Sequence, residues 1–379
     1  MFSISDFSVY IDSTDIGAMV TSMSLYESVH GNLKGTLFVE DKVNFFDTFF
    51  RGPVQTSIKI GYSYFELPLE ITLYVDGVTN QIITKMGKSY NVNVTSINNL
   101  NESATRICNA YSGTSNDIIK NLWLETHGTE SILIRDSDTV SKGKYIVPNI
   151  SAAKAMSNVV NVSYDKNNTG MFLYQRLADQ GMTRFTSLYD MVNDQFMPDG
   201  RTPFLIHSEE VTLDSATSVA ATVGSASSFT LTDYNKNFIR KLSGGMWGQK
   251  ITEIALDETT NKVLPEKEIT NVEIIKFPTS KKLFETEVSL FAPDSLVQEE
   301  IIRNMKYRVF NTNLNVSEAV AVPGLGCGMV IEVLQGGSNI SRTKTDGSYL
   351  VVNINHTFIM DDGEMKYSQN IGLAREGTT

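Results

Sequence analysis

Tyr74-Val-Asp-Gly-Val-Thr-Asn-Gln-Ile-Ile83, a short connection through Lys85-Met-Gly-Lys88, and Tyr90-Asn-Val-Asn-Val94 read as two strands joined by a Gly-containing turn. Near the other end of the chain the plan recurs: Val351-Val-Asn-Ile-Asn-His-Thr-Phe-Ile359, a turn at Asp361-Asp-Gly363, then Tyr367-Ser-Gln-Asn-Ile371. Any two hairpins share something of this pattern, so the echo gains its weight from position: each copy closes a β-rich segment. Working outward, Gly35 to Glu40 alternates, and so does Val54 to Tyr62, which puts Val54, Thr56, Ile58 and Ile60 on one face. Between them lie the aromatic stretch Val43 to Phe50 and the breaker Gly52-Pro53. Strand-like runs return from Arg308 onward at Val309 to Val316, Met329 to Gln335, Tyr349 to Phe358 and Met365 to Leu373.

The middle has another character. Thr114 and Asp117 have capping-box spacing ahead of Ile118, Ile119, Leu122 and Trp123, and Gly128 ends the run, which predicts a helix with one apolar face. Ser151 followed by Ala152, Ala155, Met156, Val159 and Val160 predicts a second. Met171 to Tyr174 and Thr183 to Leu188 read as a hairpin, so this region is a small α+β unit. The Ser/Ala/Thr-rich stretch Ser215 to Ser228 reads as loop or irregular strand. Strand-like pieces follow from Phe238 to Ile275, turning at Thr259-Thr-Asn261, and Asp294-Ser295 caps a predicted helix. The fold class is mainly β with α+β insertions.

A chain of 379 residues exceeds one compact core and points to two to four domains. Lys+Arg total 32 against Asp+Glu 43, a formal net charge of −11, which argues against a protein that grips nucleic acid by neutralising phosphates. Cys108 and Cys327 are far apart and imply neither a disulfide framework nor a metal site, so folding in a reducing cytosol is expected. The N-terminus lacks the charged and apolar regions of a signal peptide, and no window approaches a membrane-spanning length of apolar residues.

Enzyme chemistry finds no foothold. His30, His127, His207 and His356 are scattered without metal-ligand spacing and read as surface or core-edge side chains; His127 beside Gly128 suits a helix C-terminus. Gly324-Leu-Gly-Cys-Gly328 superficially resembles a nucleotide-binding loop, but Pro323 precedes it and the β-rich Met329 to Val333 follows, so a turn leading into a strand is the better account. Asp361-Asp362 and Glu299-Glu300 read as solvated charges, and Trp123 and Trp247 are too few and separated to stack sugars. No catalytic, cofactor-binding or metal residue is assigned, and no cofactor is expected.

Three stretches resemble the central hub proteins of contractile phage-tail baseplates, related to the hub part of type VI secretion spike proteins. They are Met23-Ser-Leu-Tyr-Glu-Ser-Val-His-Gly-Asn-Leu-Lys-Gly-Thr-Leu-Phe-Val-Glu-Asp41; Asn116-Asp-Ile-Ile-Lys-Asn-Leu122 with Lys144-Tyr-Ile-Val-Pro-Asn149; and Gly347 to Phe358 with Tyr367 to Arg375. The resemblance covers nearly the whole chain in order and is weakest from Ser208 to Leu242. It implies two tube-like β-barrels with smaller inserted domains: a first barrel over 1–102, an α+β insertion over 103–205, a second, discontinuous barrel over 206–240 and 307–379, and a small β/α insertion over 241–306.

It further implies a non-enzymatic homotrimer in the virion's tail baseplate, whose six similar barrels form a pseudo-sixfold ring. That ring would adapt a sixfold tail tube to a threefold central spike carried on another chain. Expected partners are the spike, the tube or a tube initiator, neighbouring baseplate wedge proteins and a tape measure protein, with no membrane and no specific nucleic-acid binding. The negative balance then gains a use, since an acidic lumen would repel passing DNA phosphates. The alternatives are a hub of a bacterial contractile injection system, and a cell-surface carbohydrate-binding protein or enzyme. A tail-tube protein would be a shorter, single-barrel chain.

Overall fold

The computed structural model describes residues 2–11, 14–43, 45, 56–64, 67–84, 87–129, 133–135, 137–139, 142–166, 169–193, 204–207, 223–225, 228–233, 250–253, 267–270, 312–319, 324–334 and 347–375. Most of the aromatic stretch after Val43, the helix expected after Asp294-Ser295, and Trp247 lie outside these residues, as does most of Ser215 to Ser228.

The N-terminal part is all strand: β1 (Phe2–Ser3), β2 (Ser5–Ile11), β3 (Thr14–Asp15), β4 (Val20–Ser28), β5 (Gly31–Asp41), β6 (Ser57–Tyr64), β7 (Leu67–Thr84) and β8 (Gly87–Thr95). Then come α1 (Ile97–Ala104), β9 (Arg106–Thr114), α2 (Ser115–His127), β10 (Leu133–Arg135), β11 (Lys142–Ser151), α3 (Ala152–Val162), β12 (Met171–Gln175), β13 (Thr183–Ser187) and α4 (Leu188–Asn193). Strands resume with β14 (Phe204–His207), β15 (Val223–Ser225), β16 (Ser228–Asp233), β17 (Lys250–Glu253), β18 (Lys267–Thr270), β19 (Thr312–Ala319), β20 (Val330–Leu334), β21 (Gly347–Asp361) and β22 (Glu364–Arg375). The molecule is mainly β with α+β insertions, as its alternation predicts.

The strands of the first part close a circuit. β4, β5, β8, β7, β6 and β2 pair in that order, and all these pairs are antiparallel. β1 crosses to β22, Ile4 N–H donates to the Met365 carbonyl at 3.0 Å, and the β21–β22 hairpin returns the circuit to β4. Period-2 alternation puts Leu37, Val39, Ile58, Ile60, Val92 and Val94 inside, each 2% exposed or less.

The same final hairpin serves a second core. Phe358, Met365 and Tyr367, near its tip, belong to the first core, whereas Tyr349, Ile354, Ile371 and Leu373, nearer its base, belong to the second. At the base, β20 flanks β21 and is followed by parallel β14 and β15, while β19 flanks β22 and is followed by β16. One continuous sheet therefore runs from β14 through β20, β21, β4, β5, β8 and β7 to β6, passing across both cores.

The insertion has its own core. β9 pairs with β11, and α2 and α3 cover them through Ile119, Leu122, Trp123 and Met156. Local signals are realised directly. The Thr114–Asp117 capping box is formed in both directions, Gly128 takes a left-handed φ of 70° as the α2 cap, and Ser151 caps α3. The expected hairpin is β12–β13, with parallel β10 added beside it.

Candidate functional site: a buried junction and a two-tipped rim

Glu27 sits on the inward face of β4 with Met23 and Leu25, and it is 0% exposed. A carboxylate in that place is costly unless its oxygens are hydrogen-bonded. One oxygen accepts from Leu177 N–H at 2.6 Å and the other from Cys327 N–H at 2.9 Å. Glu27 thus ties three segments together: β4 of the first core, the connection after β12, and the glycine loop before β20. His356 on β21 brings Nε2 to 3.9 Å from Glu27, and its Nδ1 lies 2.6 Å from the Tyr367 hydroxyl. Gln369 donates to the same hydroxyl at 3.1 Å, and Tyr62 hydrogen-bonds to it from β6.

The glycine loop owes its composition to packing. Arg176 Nε donates to the Cys327 carbonyl at 2.6 Å, and its guanidinium also reaches the Tyr174 hydroxyl at 3.2 Å. A Cβ on Gly328, whose φ is +78°, would lie 2.3 Å from that hydroxyl. A Cβ on Gly326 would lie 3.0 Å from Arg176 Cδ. The loop is a turn leading into β20, as its flanks predict, and its glycines make room for Tyr174 and Arg176.

A second histidine–carboxylate pair lies where α1 and α2 meet β5. Glu102 on α1 accepts from Asn32 Nδ2 at 3.0 Å and faces His127 Nε2 at 3.6 Å. The His127 ring packs on Trp123 with centroids 4.0 Å apart, and its side chain is 1% exposed. His127 and His356 are therefore buried, not surface or core-edge side chains. Their carboxylate partners come from other elements, which spacing along the chain does not reveal. His30 packs against Phe172, and His207 falls in β14. Cys108 is exposed and Cys327 buried, and burial pushes the Cys327 thiol up, with Glu27 adding to the effect. Among the described residues no three His, Cys, Asp or Glu side chains group as metal ligands, and no helix is long and apolar enough to cross a membrane.

Sequence does carry a signal for Glu27. In the alternation Met23, Leu25, Glu27 the charged residue falls on the apolar face, and such a residue must find a partner inside.

The junction also shapes the alkaline limb of stability. Burial pushes Tyr174 up to about 12 despite the opposing pull of Arg176. Burial likewise holds Tyr62 and Tyr90 above the ordinary phenol range, with the Asp41 carboxylate adding to the effect on Tyr90. Folded values above the unfolded value of about 10 mean a contribution fully present below pH 10 and lost as pH climbs through the folded values. Absorbance at 295 nm should show a delayed step above pH 10 that coincides with loss of the far-ultraviolet strand signal. A single smooth titration near pH 10 with the fold retained would contradict this.

The strands around the first core also present a rim with two hairpin tips. Ile359, Ser22, Phe38, Asn91 and Thr79 form a paired row across β21, β4, β5, β8 and β7. Beyond that row, in one direction, project the β21–β22 tip and the β7–β8 tip. The first tip is acidic, with Asp361, Asp362 and Glu364 exposed and Lys366 paired to Asp361. The second carries Ile82 and Ile83, 57% and 70% exposed, beside Val43 at 73%. Consecutive strand residues point to opposite faces, so this arm offers an isoleucine on each side. Lys42 and Lys88 flank it, Lys88 being paired with Asp41 across the β5–β8 ladder.

No protein-family model matches this chain, and no curated protein matches it. Solved structures do. A tail protein from Neisseria meningitidis MC58 matches with a TM-score of 0.61 at 9% identity, over 100% of this chain and 98% of that one. The 43 kDa tail protein of prophage MuSo2 from Shewanella oneidensis matches with a TM-score of 0.61 at 10% identity, over 98% of each chain. An E. coli type VI secretion component, described as structurally similar to the T4 bacteriophage tail proteins gp27 and gp5, matches with a TM-score of 0.51 at 8% identity, over 99% of this chain and 78% of that one. The continuous sheet that joins two β cores around an α+β insertion thus has the fold of phage tail proteins and of type VI hub-like proteins.

Proposed function

We propose that this chain is a structural hub of a contractile phage-tail baseplate. The observation that carries the reading is the match to two tail proteins over at least 98% of both partners, in a fold whose one sheet spans two β cores. In this reading the two cores mark two tube-like barrels, over 1–102 and over 206–240 with 307–379, which share the final hairpin. The segments 103–205 and 241–306 are insertions. Three copies set six barrels in a pseudo-sixfold ring between a sixfold tube and a threefold spike, and the ring leaves a channel for DNA. The acidic balance of −11 supports a wall that passing phosphates do not stick to. Its partners are the spike, the tube or its initiator, wedge proteins and a tape measure protein, and its place is the virion. Its role is non-enzymatic.

The match to the E. coli type VI component favours a second reading, a hub of a bacterial contractile injection system. Neighbouring genes separate the two: capsid and terminase for a phage, toxins for an injection system. Light scattering with negative-stain imaging of the purified chain tests the assembly common to both. A threefold ring with a central hole is expected, and a compact monomer at high concentration overturns it.

A further inference from the structure

We propose that the outward face of the sheet over β16, β19, β22, β21, β4, β5 and β8 is the wall of the channel, a nearly uncharged surface whose polar side chains bond one another and leave little to hold a passing DNA phosphate. This rests on the hub reading and names the surface along which the genome moves.

Strand pairing carries the face across both cores. Thr230, Asn315, Gly372 and Asn353 stand in register over β16, β19, β22 and β21. Thr357, Ser24, Thr36 and Asn93 do the same over β21, β4, β5 and β8. Alternation turns the intervening residues inward, Leu314 and Ile371 to the second core, Leu25 and Val92 to the first. Both cores therefore stand behind one surface. A bore formed by all six barrels of the ring needs a surface to which both barrels of each copy contribute, and this one qualifies.

The polar side chains are satisfied sideways. Ser24 Oγ donates to Asn355 Oδ1 at 2.6 Å, and Thr36 Oγ1 donates to Asn93 Oδ1 at 3.2 Å. Asn353 lies against Gly372, where a Cβ would fall 2.5 Å from its Nδ2. The cations on the outward positions of these strands are Lys34 and Lys366, and both are engaged: Lys34 Nζ lies 5.2 Å over the Tyr26 ring and Lys366 bonds to Asp361. Proteins grip DNA by neutralising phosphates with lysine and arginine, so a face without a ready cation does not hold it. An ordinary solvated surface is about 25–35% charged, and the opposite side of the first core carries such charge in Asp15 and the Lys59–Glu70 pair. An interface between proteins gathers apolar and aromatic residues at its centre. Here Ser22 separates Phe38 from Ile359. A broad face of hydroxyls and amides fits neither case and suits a wall past which a polyanion slides.

Gold labelling of the assembled ring tests the placement. Ser22→Cys and Asn315→Cys put one thiol before each core, in a Cys108→Ser background because Cys108 is exposed and Cys327 buried. Tyr10→Cys, on the opposite side of the first core, is the reference. Maleimide gold on Ser22→Cys and on Asn315→Cys should appear at the central hole in negative stain, and gold on Tyr10→Cys away from it. Gold outside the hole for either face variant, in rings that still form, overturns the wall while the hub reading stands. Cosedimentation with duplex DNA tests the surface chemistry. Thr36→Lys/Asn315→Lys, with an unchanged melting temperature, should make the ring retain about tenfold more DNA at low salt than the unaltered ring, and high salt should abolish the gain. Equal retention by Tyr10→Lys/Thr72→Lys, or retention by the unaltered ring itself, contradicts the proposal. An unaltered chain that forms no ring overturns both the wall and the hub reading.

Discussion

Replacing Glu27 by alanine should cost about 4 kcal/mol of folding stability, because each buried N–H left without an acceptor costs about 1–3 kcal/mol and Glu27 serves two. The donors are Leu177 and Cys327, which belong to segments far apart in the chain, so the loss also unties the insertion and the glycine loop from β4. Total stability of such a protein is only about 5–15 kcal/mol, so this one side chain decides a large share of it. Glu27→Gln keeps a single carbonyl oxygen, satisfies one donor and turns an amide NH₂ toward the other, so it should lose about half as much. Urea unfolding followed by circular dichroism measures both. A loss below about 0.5 kcal/mol for the alanine variant, the size typical of a surface change, would show that the junction is not held by this carboxylate.

Gly328→Ala should cost about 3 kcal/mol. A non-glycine residue at a left-handed φ loses about 1–2 kcal/mol, and forcing extra volume into a packed site adds about 1–3 kcal/mol. Both apply, since φ is +78° and the new methyl would fall 2.3 Å from the Tyr174 hydroxyl. Tyr174 is itself fully buried and cannot swing away cheaply. The double variant Gly328→Ala/Tyr174→Phe removes the hydroxyl and separates the two causes. It should be less destabilised than the sum of its single changes, leaving mainly the backbone cost. Strict additivity would mean that the methyl and the hydroxyl do not meet.

The contrast between elements read easily and elements missed has a physical pattern. The α2 boundaries are legible because cap and helix are neighbours: Thr114 bonds Asp117 three residues on, and Gly128 stands at the end. β5, β6, β21 and β22 are legible because alternation records which face meets the core. β9 is not. Arg106-Ile-Cys-Asn-Ala-Tyr-Ser-Gly-Thr114 has little strand propensity, and pairing with β11 makes it a strand. α1 is short and asparagine-rich, and its one local signal is the Ser96 side chain accepting from Asn99 N–H.

The sequence by itself determined the mainly β class, the α+β insertion, both ends of α2 and the start of α3, the acidic balance and the turn before β20, since each depends on residues within a few positions of one another. Only the tertiary structure decided that the last hairpin belongs to both cores, with Ser24 bonded to Asn355 across 331 positions. It alone paired Glu27 with Leu177 and Cys327, buried two histidines against carboxylates, and set an acidic tip and an isoleucine tip on one rim. Strand pairing and burial depend on the far partner, and a local pattern states which face must be covered without naming what covers it.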